Sequence, residues 1–497
     1  MAKFTVRTLR GQPQRTKIVC TLGPASSSPE IIGAMIDAGL SVARLNFSHG
    51  THADHKARLD LVRRVAAEKR RSIAVLADLS GPKIRCREIE GGQIVLGAGE
   101  KIEIVRGEQL GNTRALTTTY ERMIDDVEVS ESIFLDDGAL RLRVIEKNRE
   151  RLRCQVEVGG VLKSRKGINL PGSKISAPSL TEKDALDLAF ACSIGVDFVA
   201  LSFVRSAADV ADLKARLAKL GSPAKAIAKI EKPAALDDLE RIIEVSDGVM
   251  VARGDLGIEL PVEKVPLIQK RIIREARHAL KPVIVATQML ESMIEKPTPT
   301  RAEVSDIANA IEDGCDAVML SAETASGQYP VAAVRMMQSV ARDVETNYAD
   351  SAANSHFLEE TTGEPMRKAM VMGAAMIAEA LKAKYIVVRS ESGETARYLS
   401  KIRGRCPIIA VHPDDAVLRR HALFWGVLPV RTDAEQSGLP SMDAELKYLA
   451  SAILDQGLVE PQDSIIVVSR YPWGEQQPPN SIRTMIVGEV AKSEPIA

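Results

Sequence analysis

The sequence has few aromatic residues, no excess of charge of either sign and no long apolar run. Aromatic residues make up 3% of its 497 residues, and 66 Lys and Arg residues balance 66 Asp and Glu residues. Nucleic acids and anionic membranes attract basic surfaces, and bases stack on aromatic side chains, so we expect neither partner. No stretch approaches the roughly 18 uninterrupted apolar residues typical of a membrane-spanning helix. Any anion site must therefore be local.

Cysteine pairs and a secretory signal are also missing. No CxxC pair occurs, which favours reduced thiols over a disulfide framework or a zinc site. The N-terminal segment MAKFTVRTLRGQPQRTK has no apolar core of a signal peptide. We therefore expect a cytoplasmic protein. The six cysteines are Cys20, Cys86, Cys154, Cys192, Cys315 and Cys406.

The glycine-rich nucleotide loops are absent too. No Gly-Lys dipeptide occurs, which excludes a GxxxxGK phosphate loop, and no GxGxxG motif is present. Side chains must therefore hold the phosphates of any bound nucleotide, and Arg44, Arg85 and Lys166 are candidates. For Lys166 the alternative is a solvated basic surface.

What the sequence does contain is a series of short apolar, β-branched runs, most of them followed by an amphipathic helical pattern. Such alternation predicts a parallel sheet covered on both faces, and eight units predict a closed (β/α)8 TIM barrel. The eight runs are Lys17–Gly23, Leu40–Phe47, Ser72–Leu79, Val196–Phe203, Ala226–Glu231, Gly248–Ala252, Pro282–Thr287 and Ala317–Ser321.

Two further regions interrupt or follow this series. Between the third and fourth runs, short strands alternate with glycine-containing turns, which predicts an all-β insertion able to move over the barrel mouth. A second α/β pattern begins after the polar segment SAANSHFLEETTGEP. We predict a discontinuous barrel domain at 1–81 and 179–350, an inserted β-barrel lid at 82–178, and a C-terminal α/β domain at 351–497.

Charged and polar residues collect where the predicted barrel strands end. In barrels of this kind, catalytic groups cluster at the carboxyl ends of the strands. The residues at these ends are Arg44, Asn46, Ser48, His49, Asp78, Arg85, Lys229, Glu231, Arg253, Gly254, Asp255, Thr287, Gln288, Ser321 and Glu323.

Lys229 and Glu231 lie two residues apart in the apolar strand AIAKIE, so their side chains point to the same face. Asp255 follows the next predicted strand and supplies a second carboxylate. Two carboxylates with spare oxygens suit Mg²⁺, which keeps positions for water and phosphate, and a neighbouring lysine can stabilise a phosphoryl group. The alternatives are a salt bridge that closes the barrel and, for both carboxylates, surface ion pairs.

Two motifs have competing interpretations. HxxHxxH at His49, His52 and His55 suggests a metal site, but this spacing on a helix spreads the rings over more than one face. We place His49 beside a nucleotide instead. The Arg-Gly-Asp motif that contains Gly254 is interpreted as a turn whose backbone approaches an anion closely, rather than as an adhesion motif.

A third motif, SESGETA, lies in the last predicted domain at Ser390–Ala396. It follows a strand pattern and precedes a helical one. Hydroxyls and backbone N–H groups at a helix start can bind an anion. A helix cap without a ligand is the alternative.

Several long motifs resemble the pyruvate kinases. They are KIVCTLGPAS, VARLNFSHG, AIAKIEKP, VMVARGDLGIELP, ATQMLESM, PTRAEVSDIANA and MLSAET, in the order of the family and nearly from end to end. The resemblance implies phosphoryl transfer from phosphoenolpyruvate to ADP, giving pyruvate and ATP, as the final step of glycolysis. It also implies a β lid after strand three, an allosteric C-terminal effector domain and a homotetramer.

The resemblance also assigns residue roles. Glu231 and Asp255 would bind Mg²⁺, for which Mn²⁺ can substitute. The catalytic residues would be Lys229, Thr287 and Arg44. Phosphoenolpyruvate would contact Arg44, Lys229, Gly254, Asp255 and Thr287, and the nucleotide would contact Asn46, Phe47, Ser48, His49, Arg85 and Lys166. A monovalent cation would bind Asn46, Ser48, Asp78 and the carbonyl of Leu79. An effector would bind Ser390, Ser392, Gly393 and Thr395.

Two departures from the family pattern predict specialised surroundings. Lys83 stands where potassium-dependent members carry a carboxylate, so we expect activity without K⁺. Glu391 and Glu394 in the effector loop oppose a bisphosphate by repulsion. A sugar monophosphate or a nucleotide is therefore a better candidate effector than fructose 1,6-bisphosphate.

Two other functions compete with this one. A metal-dependent aldolase or lyase acting on pyruvate or phosphoenolpyruvate would need no nucleotide, and Arg85 and Lys166 argue against it. A regulatory paralogue would bind effectors without turnover. The presence of Lys229, Glu231 and Asp255 argues against that.

Overall fold

The computed structural model describes residues 14–173, 175–347, 361–389, 391–432, 441–471 and 477–488. The first three apolar runs form strands β1 (Lys17–Thr21), β2 (Leu40–Asn46) and β3 (Ala74–Asp78). They are connected by α1 (Pro29–Asp37) and α2 (His52–Glu68). Both helices begin after a hydroxyl residue whose side chain accepts a backbone N–H bond, as N-cap residues do.

The segment after β3 folds into an all-β lid with its own apolar core. Its elements are β4 (Gln93–Leu96), β5 (Lys101–Val105), β6 (Ala115–Leu116), the short helix α3 (Met123–Asp126), β7 (Ser132–Leu135), β8 (Leu140–Lys147), β9 (Arg151–Val158), β10 (Gly160–Lys163) and β11 (Ile168–Asn169). Within the described lid, hydrogen bonds form an antiparallel pair, β10-β4, and a six-stranded sheet, β11-β7-β8-β9-β5-β6. Backbone bridges from Arg85 to Gly167, beside β11, and from Cys86 to Thr118, beside β6, connect the two edges of the larger sheet.

Five further strands complete the barrel. They are β12 (Phe198–Leu201), β13 (Lys225–Ile230), β14 (Gly248–Ala252), β15 (Val283–Ala286) and β16 (Ala317–Leu320). All eight barrel strands are parallel and close in the order β1-β16-β15-β14-β13-β12-β3-β2. The predicted (β/α)8 fold is therefore confirmed. Except for β14, each strand ends one or two residues before its predicted run, so Glu231, Thr287 and Ser321 lie just beyond their strands, whereas Arg44, Asp78 and Lys229 lie within theirs.

Helices cover the outside of the barrel and pack their apolar faces against the strands. They are α4 (Glu182–Ser193), α5 (Ala207–Lys219), α6 (Pro233–Asp237), α7 (Leu239–Val245), α8 (Arg253–Glu259), α9 (Val265–His278), α10 (Arg301–Glu312), α11 (Ala322–Ala325) and α12 (Pro330–Asn347). No helix in the described part of the chain is long and apolar enough to cross a membrane.

Aspartates fix the amino end of the barrel. Asp197, Asp247 and Asp316 each stand immediately before a strand, namely β12, β14 and β16. Each carboxylate accepts a hydrogen bond from a backbone N–H of a neighbouring strand, which fixes the strand register there. The donors are Val75 N at 2.7 Å, Ala226 N at 2.8 Å and Val283 N at 2.8 Å, respectively.

The C-terminal α/β domain has a sheet of five strands in the order β19-β18-β17-β20-β21, of which the last pair is antiparallel. Its elements are α13 (Pro365–Ala380), β17 (Tyr385–Arg389), α14 (Glu394–Ile402), β18 (Ile408–His412), α15 (Asp415–His421), β19 (Val427–Arg431), α16 (Met442–Asp455), β20 (Ser464–Ser469) and β21 (Ser481–Ile486). The domain contacts the amino end of the barrel. Lys401 Nζ donates to Asp316 Oδ2 at 2.5 Å, and Arg419 Nε donates to Asp197 Oδ1 at 2.8 Å.

Candidate active site

Four charged side chains meet at the carboxyl end of the barrel. Lys229 Nζ, on β13, lies 2.8 Å from Glu231 Oε1 and 3.3 Å from Asp78 Oδ1 on β3. Arg44 Nε, on β2, donates to Asp78 Oδ2 at 2.7 Å. Each of the four residues is at most 9% exposed. The closed barrel thus gathers residues that are distant in sequence into one buried polar cluster.

The charges of this cluster shift its protonation equilibria. Burial alone would lower the pKa of Lys229, but three neighbouring carboxylates outweigh burial and raise it. Burial would raise the pKa of Asp78, yet Lys229 and Arg44 hold it below its usual value. Burial raises the pKa of Glu231, and the nearby ammonium of Lys229 does not offset this, because Asp255 adds a second negative charge. Lys229 therefore stays charged.

Glu231 and Asp255 are the pair that could hold a divalent cation. Glu231 Oε2 accepts a hydrogen bond from Phe203 N at 2.7 Å. Its Oε1 is paired with Lys229 Nζ at 2.8 Å. Asp255 lies on α8 and lines the adjoining cavity. Two neighbouring carboxylates fit Mg²⁺, which takes few protein ligands and keeps its waters. Within the described ranges, no group of three or more His, Cys, Asp or Glu residues could hold a metal.

Thr287 and Gly254 form a tight backbone corner next to this pair. Gly254 N donates to Thr287 Oγ1 at 2.7 Å, and Thr287 Oγ1 donates to Ala286 O at 2.6 Å. Thr287 has φ of 70° and Gln288 has φ of 55°. Left-handed φ is rare for a β-branched residue, and such backbone strain clusters at functional sites. Arg253 fixes the corner by donating to Thr287 O at 2.7 Å.

A cavity of about 300 Å³ lies between the barrel and the lid. The barrel contributes Asp255, and the lid contributes Arg85 and Lys166. Lys166 Nζ pairs with Asp136 Oδ1 at 2.8 Å, and Arg85 donates to Arg165 O at 3.0 Å. The structure therefore brings both predicted nucleotide-binding cations to the cavity that contains Asp255.

The residues implied for a monovalent cation already have protein partners. Asn46 Oδ1 accepts from Ser48 N at 3.1 Å. Leu79 O accepts from Ser202 Oγ at 2.7 Å, and Asp78 is bound by the two cations described above. Lys83 lines the same cavity as Asp255. Burial lowers the pKa of Lys83, as does the charge of Lys229.

The three histidines of HxxHxxH do not converge. His52 Nε2 is 2.7 Å from Asp187 Oδ1, and its ring stacks on Phe190. His55 is buried and stacks on Phe47, whose own ring is only 3% exposed. Burial and neighbouring cations, Lys83 first among them, lower the pKa of His49. The metal interpretation is therefore not supported by the positions of these rings.

Ser202 is a site residue that the sequence argument missed. It follows β12, and its Oγ accepts from Lys229 Nζ at 2.7 Å while donating to Leu79 O. Its position indicates this role, because Ser202 lies at the carboxyl end of the fourth predicted run, Val196–Phe203, where catalytic groups cluster in such barrels. Glu323, by contrast, accepts backbone bonds from Ser321 N at 2.7 Å and Leu290 N at 3.1 Å, so it braces the loops.

The predicted effector motif is described in part, since Ser390 lies outside the described residues. Gly393 has φ of 80° and directly precedes α14. Ser392 Oγ accepts from Glu394 N at 3.4 Å, and Thr395 Oγ1 accepts from Arg367 at 3.1 Å. Glu394 is paired with Arg397.

Comparisons with known proteins agree with this architecture. A family model described as "Pyruvate kinase, barrel domain" matches residues 13–334, and one described as "Pyruvate kinase, alpha/beta domain" matches residues 368–485. A pyruvate kinase of Staphylococcus epidermidis is 43% identical over 97% of this chain and 82% of its own length. One of Staphylococcus saprophyticus is 44% identical, and one of Staphylococcus aureus 43% identical, with the same shares covered.

Proposed function

The chain belongs to the pyruvate kinase family, and from that premise we propose that it converts phosphoenolpyruvate and ADP into pyruvate and ATP with Mg²⁺, as the final step of glycolysis in the cytoplasm. It is a phosphotransferase. The observation that supports the finer proposal is the buried ammonium of Lys229, which lies 2.8 Å from Glu231 and is further stabilised by the charge of Asp255. A charge held there before substrate arrives costs no reorganisation during the reaction.

Glu231 and Asp255 would hold Mg²⁺, or Mn²⁺ in its place. When bound, the cation would offset negative charge on the phosphoryl group and the enolate oxygen. Arg44, the backbone at Gly254 and the Thr287 corner would bind phosphoenolpyruvate. Arg44 is already fixed for this by Asp78 and by Thr21, whose Oγ1 accepts from Arg44 at 2.8 Å.

The reaction would be an in-line displacement. A β-phosphate oxygen of ADP attacks the phosphorus, the bond to the enolpyruvate oxygen breaks, and the enolate then takes a proton. Lys229 would stabilise both the phosphoryl group in transfer and the enolate oxygen. Asn46 to His49 would contact the nucleotide from the barrel, and Arg85 and Lys166 from the lid. Closure of the lid would exclude water that could accept the phosphoryl group.

Replacement of Lys229 tests the assignment. Lys229→Met should reduce phosphoryl transfer roughly a thousandfold or more, because a positioned charge is lost from the transition state. Metal-dependent enolisation of pyruvate, followed by exchange of its methyl hydrogens, should remain measurable. The matched control is Lys225→Met, at the exposed opposite end of β13, which should behave like the wild type.

A coupled assay of pyruvate formation from phosphoenolpyruvate, ADP and Mg²⁺ separates the competing functions. Consumption of phosphoenolpyruvate without ADP would favour a lyase or an aldolase. No turnover with phosphoenolpyruvate, ADP and Mg²⁺ would favour a regulatory paralogue. Normal transfer by Lys229→Met would contradict the role of this lysine.

We further propose activity without K⁺, a homotetramer, and allosteric control by an anionic effector at Ser390, Ser392, Gly393 and Thr395. Lys83 supports the first proposal, since its ammonium lies where a potassium-recruiting carboxylate stands in other members. A sugar monophosphate or nucleotide remains the proposed effector, although Glu394 repels anions less than its charge suggests, because Arg397 pairs with it.

A further inference from the structure

Lys232 and Glu259 form a second buried ion pair at the carboxyl end of the barrel, outside the residues described above. Lys232 directly follows the proposed metal ligand Glu231, and Glu259 is the last residue of α8, the helix that also contains Asp255. Lys232 Nζ donates to Glu259 Oε1. The side chains are only 12% and 2% exposed, respectively. One ion pair therefore links the two elements that supply the proposed metal ligands.

The start of α8 is held by contacts with other parts of the barrel. Near its start, Gly254 N bonds to Thr287 Oγ1 and Arg253 bonds to Thr287 O, so both contacts tie the helix to the loop after β15. Glu259 provides the contact toward β13. Without that contact, the helix that carries Asp255 would lose its ion pair to the segment that carries Glu231.

Lys232 also contacts Phe203, the residue whose backbone N–H binds Glu231. Its Nζ lies 5.5 Å from the centre of the Phe203 ring, a distance typical of a cation–π contact. The backbone N–H of Phe203 is the group that binds Glu231 Oε2 at 2.7 Å. One ammonium thus contacts the loop that orients Glu231 and the helix that carries Asp255.

We propose that Lys232 and Glu259 are positioning residues that set the separation and orientation of the Glu231 and Asp255 carboxylates for the divalent cation. This inference rests on the proposed function, because it takes Glu231 and Asp255 as the metal ligands. Partners that orient metal ligands commonly change metal affinity 10- to 100-fold when removed. A pair that served stability alone would not affect the metal.

Single and double variants separate the two roles. Lys232→Met and Glu259→Gln each leave one buried charge unpaired, so each should lower the unfolding temperature. The double variant removes both charges and should regain part of that loss. If the pair positions the ligands, all three variants should bind Mn²⁺ about tenfold or more weakly, and the double variant should not recover. Lys232→Arg, which keeps the charge, should recover part of the affinity.

The measurement is the dissociation constant of Mn²⁺, from the EPR signal of free Mn²⁺ over the full-length protein without nucleotide. The matched control is Lys214→Met, which removes a lysine paired with Asp247 at 3.3 Å at the opposite end of the barrel. It should leave Mn²⁺ affinity unchanged. Glu231→Gln should lose the site.

The outcomes distinguish the two proposals. If Glu231→Gln weakens Mn²⁺ binding but the double variant binds like the wild type, the positioning role is overturned and the metal assignment stands. If Glu231→Gln binds Mn²⁺ normally, the metal assignment is overturned, and the positioning role with it. Should a single variant fail to fold, the double variant still decides.

Discussion

Lys83 is the single residue that most alters the surroundings of the site. It lines the cavity beside Asp255, while the oxygens implied for a monovalent cation are held by protein groups. Because the ammonium of Lys83 is part of the chain, it supplies positive charge without the binding of a cation from solution. Burial and Lys229 lower the pKa of Lys83, and Asp255 counteracts them.

We therefore predict that K⁺ does not stimulate the wild-type enzyme. Rates in sodium-free tetraalkylammonium buffer should be equal with and without K⁺. Lys83→Glu should instead be slow without K⁺ and rise several-fold when K⁺ is added, because a carboxylate there recruits a cation. The control is Lys163→Glu, the same charge change at an exposed lid position. A many-fold K⁺ stimulation of the wild type would contradict the prediction.

The face of the sheet to which a side chain points could be predicted where separation along a strand determines it. The two-residue separation of Lys229 and Glu231 predicts a shared face, and the structure places them 2.8 Å apart. The contact between Lys229 and Asp78 could not be predicted, because it depends on which strands become neighbours when the barrel closes. The ring of Phe47 packs inward on His55, and its implied contact with the nucleotide stays a prediction.

At the scale of elements, α14 has the proposed effector loop at one end and the buried Lys401 at the other. The loop is less acidic than its sequence suggests. Burial would raise the pKa of Glu394, but Arg397 and more distant cations lower it. The i,i+3 spacing of Glu394 and Arg397 was a visible signal for this pairing.

Activation curves test the effector proposal. A hexose 6-phosphate or a nucleoside monophosphate should reach half-activation at a lower concentration than fructose 1,6-bisphosphate. Glu394→Gln should improve activation by the bisphosphate most, because it removes a repelling charge and releases Arg397. The control is Glu379→Gln, at an exposed position of α13. Strong activation of the wild type by the bisphosphate would refute the proposal.

Elements were predictable where apolar runs mark them, and less so at their ends. Each barrel run contains a strand, but Ser72–Leu79 shortens to Ala74–Asp78 because Leu79 turns its carbonyl to Ser202. In the lid, alternation predicts the strands, but it does not predict the bridges of Arg85 and Cys86 that connect the two sheet edges, because these depend on tertiary contacts.

At the scale of the molecule, the C-terminal domain is joined to the barrel by cations on buried aspartates. Lys401 and Asp316 are both fully buried, and Arg403 lies 3.7 Å from Asp316. No spacing rule relates these residues, because they belong to different domains, so the sequence could not reveal the contact. Through α14, the contact connects the proposed effector loop to the amino end of β16.

This contact predicts an alkaline dependence of stability. Burial, opposed by Asp316 and reinforced by Arg403 and Arg277, lowers the pKa of Lys401 to about 8. In the unfolded chain Lys401 would keep its proton to higher pH. The unfolded state therefore binds more protons above about pH 8, so the contribution of Lys401 to the free energy of unfolding rises with pH there, by at most about 1.4 kcal/mol per unit.

Unfolding midpoints between pH 7 and 10 for the wild type and Lys401→Met test this. The difference between the two proteins should change in favour of the wild type above pH 8, because only the wild type sheds this buried charge. Lys17, whose pKa burial also lowers to about 8, titrates in both proteins and cancels in the comparison. Lys214→Met, which removes a half-exposed lysine at the same end of the barrel, should parallel the wild type throughout. A constant difference between wild type and Lys401→Met would show that Lys401 keeps its proton in the fold, and the ion pair with Asp316 would then outweigh the cost of burial.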